Sequence, residues 1–238
     1  IDNVNEQTNV SVTSNVVWSL KSDMSNAQNG INAPLALLPD TSYYFQYLAD
    51  VGNAFASEIS SPLITPSRLP LSFSINYIDE ETQEIVTTDV QFATNALMTG
   101  ASSGSGSAIP LTPDTDVWFK KDASGTNFAS DTFYLEVPAR PATPVVDIDF
   151  VNETATNVPV NCIWDVTGSF TSVLNNTSLV SYIPNFGDAN IDVNFKIASG
   201  ASFESLSQTL TFDARADAPL ITAYEDVAEP NTFTWTPL

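Results

Sequence analysis

The chain of 238 residues has no histidine, one cysteine and only 7 lysines and arginines against 28 aspartates and glutamates, for a formal net charge of −21. Each shortage closes off a class of chemistry. Without imidazole, hydroxyl and thiol nucleophiles lack their usual base, and zinc sites built on histidine or paired thiolates cannot form. With so few cations, phosphates cannot be contacted in number, so nucleic acid is excluded as a partner and an anionic membrane surface is a poor one. The lone thiol, Cys162, allows no intrachain disulfide, and the fold must rest on its cores. No apolar run approaches the about 18 residues of a membrane-crossing helix, so direct membrane insertion is not expected. The chain opens at Ile1 with no signal segment and reads as a piece of a longer mature polypeptide. Only carboxylate pairs are left for catalysis. Asp79, Glu80, Glu81 and Glu84 are adjacent acids at a strand start, not two groups facing across a cleft. A non-enzyme that requires no cofactor is expected.

Apolar residues make up 43% of the chain and aromatics 11%, enough for packed cores. Val, Thr, Phe and Ile dominate the apolar stretches, which favours strands, and no segment has the 3.6-residue period of an amphipathic helix. Three signals recur in the same order. The first opens each unit: Val4-Asn5-Glu6, Ile78-Asp79-Glu80, Val151-Asn152-Glu153, then Glu225-Asp226. A strand follows, with Val12, Val86 and Val158 on one face, then Val16, Val90 and Cys162, then Trp18, Phe92 and Trp164. Phe233 and Trp235 stand at the same positions of a fourth copy.

The second signal is a Pro-Asp turn, Leu38-Pro39-Asp40-Thr41 and Thr112-Pro113-Asp114-Thr115, loosened to Pro184-Asn185-Phe186-Gly187 in the third copy. Proline presets the second position of a type I turn and aspartate suits the third. Alternating strands follow, through Tyr43, Phe45 and Tyr47, through Val117 and Phe119, and through Ile191, Val193, Phe195 and Ile197. The third signal is a small-residue turn around Phe55, Phe128 or Phe203, a strand ending in Leu63, Leu135 or Leu210, and an arginine five residues on: Arg68, Arg140, Arg215.

Matching residues are spaced by about 72 to 76 positions, so the chain is expected to hold an Ig-like repeat at 1–68 that is truncated at its N-terminal side, repeats at 69–140 and 141–215, and at 216–238 either the start of a fourth or a strand-donating segment. About 74 residues suffice for about seven strands, the count of a small immunoglobulin-like sandwich. Proline-rich tracts, Pro66 to Pro70 and Pro138 to Pro144, mark the junctions and should stiffen them. The expected fold class is all-β, tandem Ig-like or fibronectin-III-like β-sandwich domains arranged as a rod.

The combination of "LTPDTDVWFK", "TNFASDTFYLEVPARPATP" and "IDFVNETATNVP" resembles the tandem fibronectin-type-III-like or immunoglobulin-like repeats of very large secreted surface proteins in Bacteroidetes-type bacteria, adhesins of gliding species among them. The resemblance covers nearly the whole chain. It implies an extracellular, cell-surface location and a non-catalytic stalk or spacer that projects a distal binding region for cell adhesion or gliding-type motility. Such sandwiches serve many functions, so the ligand does not follow from it.

Beside that reading stand more local ones. Asp79, Glu80, Asp147, Asp149 and Glu153 crowd the unit openings, where calcium, which takes six to eight oxygens, could gather them across a junction; a solvated acidic face is the plainer account. Arg68, Arg140 and Arg215 precede Glu80, Glu153 and Asp226 by 12, 13 and 11 residues, so a pair across each linker is expected to fix the junction. Tyr44 and Trp118 should point outward, which leaves surface glycans as candidate partners beside neighbouring repeats. Residues 216–238 hold only the first strands of a sandwich and could complete another copy by strand addition, as in a self-assembling filament. The stretch Gly100 to Ser107 lacks the lysine of a phosphate-binding loop and is expected to be a variable, flexible connection.

Overall fold

The structure, a computed structural model, describes residues 1–170, 183–185, 187–225 and 232–236, with side chains up to residue 219. Among them the chain is all-β, without a helix, and its strands pair antiparallel in two- to four-stranded sheets, consistent with β-sandwich architecture. It divides into two compact units, Ile1–Pro138 and Ala139–Leu238.

In the first unit, β1 (Gln7–Val12) pairs with β4 (Ala33–Ala36), while β2 (Val16–Ser19), β3 (Gln28–Asn29), β5 (Ser42–Tyr47) and β6 (Leu63–Ile64) form a sheet in the order β3-β2-β5-β6. After the short pair β7 (Ile75–Asn76) and β8 (Glu81–Thr82) the pattern returns. There β9 (Val90–Ala93), β10 (Ser102–Ser103), β11 (Val117–Lys121) and β12 (Phe133–Leu135) take the order β10-β9-β11-β12. The second unit pairs β13 (Asp147–Asp149) with β14 (Thr154–Thr156) and builds a sheet β15-β16-β17 from Cys162–Asp165, Ile191–Ile197 and Gln208–Phe212. Its last strands, β18 (Leu220–Glu225) and β19 (Thr232–Thr236), form an antiparallel pair.

One register repeats three times. Trp18 lies opposite Phe45, Phe92 opposite Phe119, and Trp164 opposite Phe195. Since a slip of one residue would turn every core side chain to the other face, this agreement means that the same alternation selects the same pairing in each repeat. Phe119, Val193 and Phe195 are completely buried. Leu37, Tyr43, Leu35 and Trp18 join strands of both sheets in the first repeat's core, and Tyr43 donates no ring to solvent: its hydroxyl accepts the Leu38 N–H at 2.8 Å.

The Pro-Asp turns differ from the expected type I geometry. Asp40 and Asp114 have φ of 52° and 64°, the left-handed conformation that the third position of a type II turn requires and that aspartate tolerates better than most residues. The same aspartate amides donate to Pro66 O and Pro138 O, at 3.2 Å each, and so fasten the turn to the segment that leaves the repeat. Residues 100–107 are also more ordered than expected of a flexible connection. Ser102 and Ser103 form the edge strand β10 on β9, and Gly104 lies so close to the Val86 and Thr87 carbonyls that a Cβ would meet each at 2.3 Å. Gly30 occupies the matching place against Val12 and Thr13.

Candidate functional site

The loop after the central strand has the same lock in every repeat. Tyr47, Lys121 and Ile197 each donate their amide to the hydroxyl of Ser57, Ser130 and Ser205, at 2.9, 2.8 and 2.8 Å, and each of those serines returns its own amide to the same residue's carbonyl. Two residues before each serine is the recurring phenylalanine, held by this clamp on a short, stiff loop.

Its surroundings differ from copy to copy. Phe128, from the second repeat, is 2% exposed and sits in the core of the first, against Leu37 and Tyr43 with Ile1, Leu35 and Leu63 around them. Phe203 is fully buried, with the Arg140 guanidinium 5.9 Å from its ring centroid. Phe55 is 97% exposed. Phe128 is therefore a knob that leaves its own repeat. Burying such a ring stabilises by about 1.5–3 kcal/mol, so where it is seated it couples two repeats.

A guanidinium closes the Phe128 contact. Arg68 donates from both terminal nitrogens to the two oxygens of Glu6, at 2.7 Å each, also donates to Ala129 O, and brings Nε to 3.4 Å from Asp131. Glu6 belongs to the first repeat, Ala129 and Asp131 to the second, so one side chain grips both. Asn3 adds a 2.8 Å bond from its amide nitrogen to Gly125 O. In the second unit Arg215 pairs with Glu153, again 62 residues before it, and Arg140 donates to Glu204 O at 3.1 Å, the counterpart of Ala129 O. Arg68 thus pairs with Glu6, which opens its own repeat, where Glu80 12 residues ahead was expected, and Arg215 likewise holds Glu153 of its own repeat. Asp226 lies outside the described residues. The bidentate pair holds Arg68 protonated even more firmly than usual, and the Arg215 hydrogen bond keeps the Glu153 carboxyl below its ordinary range.

The acids proposed for calcium have local engagements. Asp149 accepts the amides of Val151 and Asn152 on one oxygen and the Asn152 side chain on the other, which lowers its pKa. Asp2 and Asn5 repeat this turn, while in the second repeat Asn76 and Asp79 exchange roles. Asp147 accepts from Asn157 Nδ2 at 2.6 Å. Glu80, like Glu6 and Glu153, has positive φ and ends its turn. Among the described residues no three acidic or thiol groups converge as a metal site.

Concave surfaces occur in both units. Phe73 stacks on Phe119 with ring centroids 4.1 Å apart, and Val146 bonds through its backbone N–H and carbonyl to the Gln208 side chain. On the first repeat a cleft of about 740 Å³ is lined by Val10, Val12, Val16, Phe45, Tyr47 and Leu63. In the second unit a hollow of about 330 Å³ lies between Ile148, Phe150, Ile183 and Phe212, with Glu153 and Arg215 at its rim. Four of these residues stand 147 positions after residues near the Phe128 loop: Ile148 after Ile1, Phe150 after Asn3, Phe212 after Thr65, and Arg215 after Arg68. Trp118 is only partly exposed and packs on Tyr134 at 5.1 Å, whose hydroxyl donates to Asp116. Lys196 is paired with Glu204, and Cys162 is half-buried, its thiol pKa raised by desolvation.

No protein-family model and no curated protein matches the chain.

Proposed function

We propose that the chain is a segment of a stalk: tandem immunoglobulin-like or fibronectin-III-like sandwiches that hold a distal binding region away from a cell surface, as in a large secreted adhesin. The observation that carries this reading is the junction inside the first unit, where Phe128 and Arg68 of neighbouring repeats bury each other's contacts. A binding module has no need to couple successive copies through their cores. A spacer does, because its working quantities are reach and the stiffness of each joint.

The distribution of repetition supports the same reading. Core pairs, loop clamps and junction arginines recur, while outer faces vary: Tyr44, Trp118 and Asn194 occupy one matching outward position. A surface with a charge of −21 keeps parallel stalks apart and soluble. On this reading the repeats line up as a rod, calcium is not required, and the acidic turns are self-capped surface. A glycan array probed with the whole chain tests it. A stalk gives no specific signal; a hit that Trp118→Ala abolishes would move the function to carbohydrate binding.

A further inference from the structure

The segments by which the chain enters and leaves the third repeat are bonded directly to each other at two places. Val146 donates its N–H to Gln208 Oε1 at 2.7 Å and accepts from Gln208 Nε2 at 3.1 Å, and Glu153 pairs with Arg215. Both contacts join residues 62 apart, so the two segments run in the same direction at a fixed offset. We propose that they form a tension clip: a pull along the stalk is borne first by the Val146–Gln208 and Glu153–Arg215 contacts, which set how long the repeat survives under load. This rests on the stalk reading, in which the chain is held at both ends.

Direction is the first support. Tension draws the entering segment back and the leaving segment forward. Between neighbours that run the same way this is a sliding motion, and it loads every contact between them at once. A hairpin pulled at its open end is instead peeled apart one pair at a time. Location is the second. Here β13 and β17 belong to different sheets, Glu153 ends the turn after β13, and Arg215 stands three residues past the end of β17. The ion pair therefore ties the two sheets together where the chain leaves, and load crosses between them without first separating the core around Trp164, Val193 and Phe195.

Backbone conformation is the third. Glu6, Glu80 and Glu153 have φ of 51°, 56° and 55°, the left-handed region that glycine takes at lower cost. A carboxylate kept in that conformation at the same place of three turns has work for its side chain. In the first repeat that work is the same clip, with Arg68 donating to both oxygens of Glu6. In the second repeat the contact that matches Val146 with Gln208 is made by rings, Phe73 of the entering segment lying 6.0 Å from Phe133 of the leaving strand. The place of the contact recurs although its chemistry changes.

Magnetic tweezers holding the whole chain by its two ends test this at constant force. Repeats should open in separate steps of roughly 200 Å in contour length, from about 74 extended residues less the folded span. Glu153→Gln keeps the size of the side chain and removes its charge. It should shorten the lifetime of one step by about fivefold, the upper end for an exposed pair. The ratio to wild type should widen as force is raised, because loss of a loaded contact lets the segments slide further before the repeat gives way. Gln208→Ala should act in the same way. Trp164→Phe, a core change off this path, should shorten lifetimes by a factor that does not vary with force. A ratio for Glu153→Gln that stays flat with force, or one that widens equally in Trp164→Phe, overturns the clip, and neither result bears on the glycan array that tests the stalk reading. If Glu153→Gln or Gln208→Ala lost its β-sheet circular dichroism, the other carries the test.

Discussion

Phe128→Ala separates a residue that supports its own repeat from one that supports its neighbour. The ring is 2% exposed and its packing partners, Leu37 and Tyr43, belong to the first repeat. Truncating a buried phenylalanine costs about 3–5 kcal/mol, and the lower end applies here because the two repeats can separate and let the site relax. About 3 kcal/mol is roughly a 150-fold change in an opening equilibrium. Hydrogen exchange read by mass spectrometry locates that loss. The reporters are the amides of Leu37, which donates to Glu6 O at 2.7 Å, and Leu38, which donates to the Tyr43 hydroxyl. Both should exchange about 100-fold faster in the variant, although the substitution is 90 positions away in sequence. The matched control is Phe55→Ala, an exposed site where surface substitutions stay within about 0.5 kcal/mol. If Phe128→Ala accelerated exchange only between residues 117 and 135 and left Leu37 and Leu38 unchanged, the phenylalanine would belong to its own repeat and the coupling argument would fail.

Three further outcomes follow from the geometry. Arg68→Ala should destabilise the first unit by about 1.5–3 kcal/mol in urea titration, since it frees a partly buried Glu6 and the Ala129 carbonyl. Arg68→Lys should recover little of this, because an ammonium cannot bond both Glu6 oxygens in parallel. The Glu153 carboxyl, held low in the folded state by Arg215, contributes stability that is complete above the ordinary glutamate range and is lost as pH falls through its depressed value. Carbon-13 NMR of that carboxyl should show it returning to the ordinary range in Arg215→Gln; an unchanged titration would mean that the pair does not form in solution. Gly104→Ala should cost about 1–3 kcal/mol or more, as its Cβ would meet two carbonyl oxygens at 2.3 Å, and thermal unfolding should report the loss.

How much of this could be read from the chain depended on distance along it. Period-2 alternation and turn residues are local signals, so Trp18, Phe92 and Trp164 and the strands facing them were legible, and the shared register followed. The turn type was not: Pro-Asp suits both types I and II, and the choice depends on the aspartate amide reaching Pro66 or Pro138, a contact outside the turn. The partner of Arg68 was misplaced because Glu80, 12 residues away, looks nearer than Glu6, 62 away. A folded repeat returns its last strand to its first, and the constant interval from Glu6 to Arg68 and from Glu153 to Arg215 was the available clue. The phenylalanine was read as part of a turn, since nothing in Thr126-Asn127-Phe128-Ala129-Ser130 says that the ring leaves its own repeat. A large aromatic kept among small residues at the same place in three copies was the only hint. Gly30 and Gly104, 74 positions apart, were similarly hidden inside what looked like variable loops.

Small-angle X-ray scattering on the dilute monomer tests the central claim, that coupled repeats form a spacer. Three sandwiches of about 35 Å in line give a length on the order of 100 Å and a radius of gyration of about 29 Å, whereas a single compact body of this chain length has about 18 Å. A stalk predicts a value near the larger figure, with Phe128→Ala and Arg68→Ala broadening the distance distribution. A radius near the smaller figure, or one that neither substitution alters, would contradict it.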